Sequence, residues 1–231
     1  MTSASFGKRR VAVWDGPLRL FHWSLVALIG FGWWSGEQGL DWMDAHMLAG
    51  QAVLGLVAFR LLWGLWGSRH ARFADFLAGP RRVVAELRGL LRGRPEPHLG
   101  HGPAGGWAVM LILLLVGAQA FTGLFASDDI LTDGPLVGTL PGDIESFLNS
   151  AHYTLFDVLL WVVGLHVAAV VVVYPLLARE DLVRPMITGW KRLASAATGR
   201  PERFGWGVVL RGLLLMVACL AAVYGGIAAA G

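Results

Sequence analysis

Long apolar runs separated by short polar, charge-bearing segments dominate the chain, and the runs are as long as a bilayer is thick. A helix needs about 20 predominantly apolar residues to cross the hydrocarbon core. Five runs qualify, at 18–36, 46–66, 105–126, 152–175 and 206–229. The first has a start signal, since Asp15 can cap it and Pro17 suits an opening turn. The second begins after DWMDAH and closes on WGLWGS, and the third follows the turn-like GHGPAGG. Trp14, Trp33, Trp34, Trp42, Trp66, Trp107 and Trp206 lie near run ends, where amphipathic rings anchor a helix at the interface. Between the second and third runs, PRRVVAELRGLLR places Val83, Val84, Leu87, Leu90 and Leu91 on one helical face with arginines opposite. That pattern fits a short interfacial helix lying on the membrane, or a solvated connecting helix.

Composition agrees with a membrane protein and excludes several other classes. Of 231 residues, 55% are hydrophobic and only 15% charged, against about 25% charged in a soluble domain. The single cysteine, Cys219, excludes a disulfide within the chain, and no C-x-x-C-H segment is present for covalent haem attachment. The N-terminal segment is not expected to be a cleavable signal, because its apolar run starts only after Pro17 and ends without a small-residue cleavage site. No internal repeat and no separate soluble domain is evident.

The distribution of charge then predicts an orientation. Lys8, Arg9, Arg10 and Arg19 precede or open the first run; Arg69, Arg72, Arg81, Arg82, Arg88, Arg92 and Arg94 follow the second; Arg179, Arg184, Lys191, Arg192, Arg200 and Arg203 follow the fourth. Arg60 and Arg211 lie inside runs, which completes the 19 cations. Segments 37–45 and 127–150 hold none, and instead carry Glu37, Asp41, Asp44, Asp128, Asp129, Asp133, Asp143 and Glu145. The positive-inside rule places the N-terminus in the cytoplasm and the C-terminus outside.

Four of the seven histidines fall in or at the mouths of the apolar runs: His22, His46, His152 and His166. His152 and His166 are 14 residues apart, a rise of about 21 Å and a rotation about 40° short of four turns, so they point the same way from opposite sides of the bilayer. His46 opens the second run as His152 opens the fourth, at the outer boundary. The first run ends near Glu37, and His22 lies 15 residues inward of it, at the depth of His166. Two pairs on different helices result, His46 with His152 outside and His22 with His166 inside.

Facing imidazoles inside a helix bundle point to axial ligation of iron porphyrin. A single intramembrane histidine is explained as well by a hydrogen bond to a neighbouring helix, but four at two matched depths are not. Zinc or di-iron is disfavoured, because each level lacks the carboxylates or thiolates those metals recruit. Arg60, 14 residues after His46, belongs at the inner level. It is a candidate partner for a haem propionate, or alternatively a side chain that snorkels to the cytoplasmic headgroups. Gly50, Gly55, Gly117, Gly123 and Gly164 suit either a flat ring or close helix approach.

These residues resemble the bacterial cytochrome b561 family and the related b-type cytochrome subunits of nickel–iron hydrogenases. The resemblance rests on VWDGPLRLFHWSL around His22, DWMDAHMLAGQAVLGLVAFRLLWGLWGSRHARF around His46 and Arg60, GHGPAGGW, and the His152/His166 pair, and covers roughly residues 12 to 192. It implies an all-α membrane fold with a four-helix core, two non-covalent b haems ligated by His22, His46, His152 and His166, and electron exchange with a quinone. Residues 1–192, including the cytoplasmic loop 67–104, then form the haem domain. Residues 193–231 supply a linker and a fifth C-terminal helix beyond the core of the shortest members.

The expected function is electron transfer in the bacterial inner membrane between a quinone pool and a periplasmic redox partner. The acidic outer segments would steer a basic partner such as a c-type cytochrome. His98 and His101, in HLGHGPAGGW, sit near the cytoplasmic mouth of the third run, with His70 a weaker candidate; the resemblance favours His101 for proton exchange with a quinone. Rival readings are a superoxide:quinone oxidoreductase, disfavoured by an outer face without cations, and the membrane anchor of a larger periplasmic oxidoreductase such as a hydrogenase. A helical scaffold without cofactor is the third rival.

Overall fold

The computed structural model describes residues 9–96, 98–128, 130–193 and 204–230. Lys8, Asp129, Arg200, Arg203 and the linker 194–203 lie outside the described residues. The elements run β1 (Arg9–Ala12), α1 (Gly16–Glu37), α2 (Met43–Trp66), α3 (Phe73–Phe76), α4 (Pro80–Leu91), α5 (Pro103–Thr122), α6 (Gly142–Ala168), α7 (Val183–Thr188), β2 (Trp190–Leu193) and α8 (Trp206–Ala230).

Each predicted run is helical. Four helical segments among the described residues are long and apolar enough to cross a membrane: Leu40–Trp66, Pro103–Phe125, Gly142–Ala178 and Trp206–Ala230. The expected first span differs. α1 has 22 residues, ample length, but Arg19, His22, Ser24 and three tryptophans lower its hydropathy, so it does not qualify on composition alone. The expected start of the fourth span also moves. GDIESFLNS, read as loop, forms the first turns of α6, with Asp143 and Glu145 in the first turn, where the helix dipole favours acids. His152 therefore lies well inside a helix, whereas His46 sits in the first turn of α2.

α2 is the central helix, packing against α1, α5 and α8. Close approach to α8 depends on Gly55, where an added Cβ would come within 2.7 Å of the Leu220 side chain and 3.0 Å of its Cα. α6 packs along α5 but stands off from α1 and α2. Along its length the only buried residue is Leu159, which joins the core of Val53, Val57, Phe59, Val116 and Ala120. Trp161 and Leu165 are exposed, as side chains facing lipid should be.

Past Ala168 the helix widens into a π-helix, Ala169–Ala178, containing Pro175. Proline has no N–H and crowds the preceding turn, and wider turns relieve both problems. Arg179, at φ 53°, then ends it in the left-handed conformation.

A small antiparallel sheet was not foreseen. β1 pairs with β2 from Arg9↔Leu193 to Ala12↔Trp190. Arg19 Nη1 and Trp23 Nε1 donate to the carbonyls of Ile187 and Met186 at 2.5 and 3.2 Å. The stretch leaving α6 is thereby stitched to the entry of α1. α4 has the two-faced character expected of an interfacial helix, and its Glu86 accepts from Ala104 N at 2.6 Å and from the Tyr174 hydroxyl at 3.3 Å.

Candidate functional site

The spacing of α6 sets the site. Seven residues are nearly two helical turns, so His152, Leu159 and His166 form one stripe, with Leu159 separating the imidazoles. This stripe faces the gap toward α1 and α2.

At the outer level His46 and His152 meet across that gap. Their ring centroids lie 6.4 Å apart with planes at 86°. Two imidazoles sharing one metal ion at about 2 Å per bond span a comparable distance. They line a cavity of about 300 Å³ together with Ala49, Gly50, Val53, Val116 and Ala120, within the size range of small-molecule and cofactor sites. The second ring nitrogens are engaged. His46 Nδ1 is 3.0 Å from Ser35 Oγ, and His152 Nδ1 is 3.0 Å from the Gln119 carbonyl. Such a bond fixes the tautomer and orientation of a metal-ligating histidine. Two glycines seat the rings: a Cβ on Gly123 would come within 2.8 Å of His152 Cε1, and one on Gly36 within 3.4 Å of His46 Cε1. Gly50, which lines the cavity, and Gly164 have open space where a Cβ would go, whereas Gly55 and Gly117 face Leu220 and Val57.

Glu37 and Asp128 stand at the outer rim of this cavity. Asp128 accepts the backbone N–H groups of Thr132, Leu131 and Ile130, which hold its carboxyl below the usual aspartate range. The carboxylate thus organises the loop over the outer cavity while remaining charged.

At the inner level His22 and His166 are within electrostatic reach of one another. His22 lies edge-on to Trp23, with centroids 5.1 Å apart. Its Nδ1 is buried without a hydrogen-bond partner. Arg60 is only 2% exposed. Its guanidinium lies over the Phe73 ring, 4.8 Å from the centroid, and neither Nη atom has a hydrogen-bond partner. It is within electrostatic reach of Asp15. Asp15 is fully buried and accepts from Leu18 N at 2.7 Å, Trp63 Nε1 at 3.0 Å and Ser68 Oγ.

His101 is not the exposed loop residue its position suggests. Its ring is wedged between Trp14 and Phe76, with centroids 4.6 and 4.7 Å away, and its Nδ1 is enclosed and unpartnered. Burial pushes its pKa down to about 3, and Arg60, His166, His22 and His70 push the same way. His70 is held by Asp75 at 2.9 Å, and His98 lies 3.8 Å from Glu86.

Among the described residues, no group of three or more histidine, cysteine or acidic side chains is arranged to hold a metal ion. Paired histidines in an apolar cavity fit a porphyrin, which needs only two axial side chains from the protein. Residues 13–189 match the family described as prokaryotic cytochrome b561. The chain belongs to this family of membrane-embedded b-type haem electron-transfer proteins. No curated protein and no solved structure matches it.

Ser35, Gly36 and the Gln119 carbonyl carry no such signal in the sequence, whereas Gly123 was among the glycines suited to a flat ring or close helix approach. Each is unremarkable in a helix, and only the tertiary placement of the imidazoles gives it a role.

Proposed function

We propose that the chain holds two b haems, one between His46 and His152 and one between His22 and His166, and passes single electrons between a quinone pool and a redox partner at the outer face. When bound, each haem iron supplies a one-electron couple whose potential follows its ligands, hydrogen bonds and burial. The observation that carries this reading is the facing of His46 and His152 across the gap that α6 leaves toward α2, and it is supported by His22 and His166 lying within electrostatic reach of one another.

The residues divide the work. His46 and His152, with Nδ1 tied to Ser35 and Gln119, present fixed imidazoles to the outer cavity. Arg60, a buried cation whose two Nη groups lack hydrogen-bond partners, would hold an inner propionate, because buried donors left unmade are costly. His101 would orient a quinone oxygen near the cytoplasmic side. Held neutral by burial, it offers one N–H and one lone pair rather than a stored proton.

α1 crosses the membrane with the four more apolar segments, and the positive-inside asymmetry of the sequence sets the N-terminus in the cytoplasm of a bacterial inner membrane. Glu37 and Asp128 at the outer rim favour a basic partner such as a c-type cytochrome over an anionic substrate such as superoxide. Anchoring of a larger periplasmic oxidoreductase, such as a hydrogenase, is compatible with the same family.

The deciding experiment is a reduced-minus-oxidised spectrum of the purified protein with haem counted per chain, followed by addition of a quinol. Two b haems per chain, reduced by quinol, are expected. A colourless protein defeats the reading, and a di-haem protein inert to quinol defeats its quinone half.

A further inference from the structure

Ser35 lies in the last turn of α1 and is fully buried. A serine there ordinarily bonds back to a carbonyl of its own helix, and its Oγ does lie 3.3 Å from the Gly32 carbonyl. Its shorter contact, 3.0 Å, is to His46 Nδ1 on another helix. A hydroxyl has one proton and two lone pairs. The Gly32 carbonyl is also a hydrogen-bond partner of the His46 ring itself, and a carbonyl only accepts, so the ring nitrogen on this side, Nδ1, carries the hydrogen and Nε2 is left bare. Gly36, the next residue, gives the ring its room, since a Cβ there would already touch Cε1 at 3.4 Å.

On this basis, and resting on the two-haem reading above, we propose that Ser35 is a positioning residue for the outer haem. It accepts the Nδ1–H of His46 alongside the Gly32 carbonyl, to which its own hydroxyl donates, and so fixes the tautomer that would leave Nε2 for the iron. Around His152 the Gln119 carbonyl lies 3.0 Å from Nδ1, while the Gln119 side-chain amide lies 3.2 Å from Nδ1 and 3.4 Å from Nε2. At the inner level the pattern is absent for His22, whose Nδ1 is buried and unpartnered. The outer haem would therefore be the one with a ligand imidazole, His46, made more electron-donating through Nδ1. Greater donation favours ferric iron, so loss of the Ser35 bond raises the outer midpoint potential.

The test is a potentiometric titration of the di-haem protein, the outer haem being identified as the one lost in His152→Ala. Ser35→Ala is expected to raise the outer midpoint, to alter the low-spin ferric resonance of that haem, and to leave the inner midpoint in place. Ser35→Cys, similar in size but a poorer acceptor, is expected to shift the outer midpoint in the same direction by less, and it decides the matter if the alanine variant yields no holoprotein. An outer midpoint unchanged from wild type with both haems bound overturns the proposal. Equal shifts of both haems also overturn it, since they would mark a general packing effect. Wild-type protein carrying fewer than two haems sinks the two-haem reading itself, whereas an unmoved midpoint in a di-haem variant sinks only the role of Ser35.

Discussion

His46 and His152 face one another from α2 and α6 with ring centroids 6.4 Å apart, although 105 residues of chain lie between them. Nothing local brings them together. α2 packs on α5, α5 packs on α6, and the pair closes the circuit across the space between α2 and α6. A bound cofactor would thus join helices that otherwise touch little.

Each ligand replacement should accordingly empty one level and spare the other. His46→Ala or His152→Ala is expected to reduce the haem count per chain from two to one, and His22→Ala or His166→Ala to remove the other haem. Haem extraction with optical titration of the remaining couple checks this. If His22→Ala and His152→Ala removed the same haem, the pairing would be wrong.

Much of this arrangement was legible in the sequence because it depends on quantities a helix fixes. The 14-residue interval between His152 and His166 becomes depth and direction through the rise and turn per residue. Apolar run length likewise gave the helices. What failed to show was whatever depends on distant neighbours. The start of α6 at Gly142 was hidden because GDIESFLNS is polar enough to pass for a loop. The β1–β2 sheet escaped notice because Arg10 and Arg192 read as topology signals, while the buried residues from Val11 to Trp14 follow one another without the alternation that marks a strand. The surroundings of His101 depend on Trp14 and Phe76, which are distant from it and from each other along the chain. Asp15 was visible as a helix cap, but not as the acceptor for Trp63 and Ser68.

Gly123→Ala tests how tightly the outer ring is seated. The added methyl would come within 2.8 Å of His152 Cε1, so the imidazole must move. Loss or weakening of the outer haem with the inner haem intact is expected in the haem count and spectrum. Gly225→Ala, in open space on α8 away from the cavity, is the control and should retain both haems. Unchanged outer haem in Gly123→Ala would mean the ring is free to shift without cost to ligation.

Arg60→Ala should lower the inner midpoint potential, since a nearby positive charge favours the reduced haem. The expected shift is tens of millivolts, on a scale of about 59 mV per 1.4 kcal/mol for one electron, with the outer midpoint far less affected. Arg60→Lys keeps the charge but not the planar fork, and should fall between. Equal shifts at both haems, measured by redox titration, would remove the propionate role.

Asp15→Ala should be among the more destabilising single changes outside the histidines. The carboxylate caps α1 and also binds Trp63 of α2 and Ser68 beyond it. Loss of a cap alone costs about 1 kcal/mol, and the stranded buried donors add about 1–3 kcal/mol. A drop in thermal midpoint in detergent is expected, with Asp15→Asn less affected because it retains an acceptor. Wild-type stability in the alanine variant would show that water replaces the carboxylate.

The His101 imidazole offers a test by pH. Its pKa lies near 3 in the folded chain against 6.5 for the free side chain. Between those values the unfolded chain binds a proton that the folded chain refuses. Stability therefore rises with pH across this window. The penalty is absent above about pH 6.5 and grows as pH falls toward about 3. His101→Phe preserves an aromatic ring between Trp14 and Phe76 and cannot bind the proton. Thermal unfolding from about pH 7.5 down to about 4.5 should show wild type losing more stability than the variant. Parallel curves would mean that His101 takes up its proton in the folded state after all, and the neutral, quinone-orienting role assigned to it would go with that result.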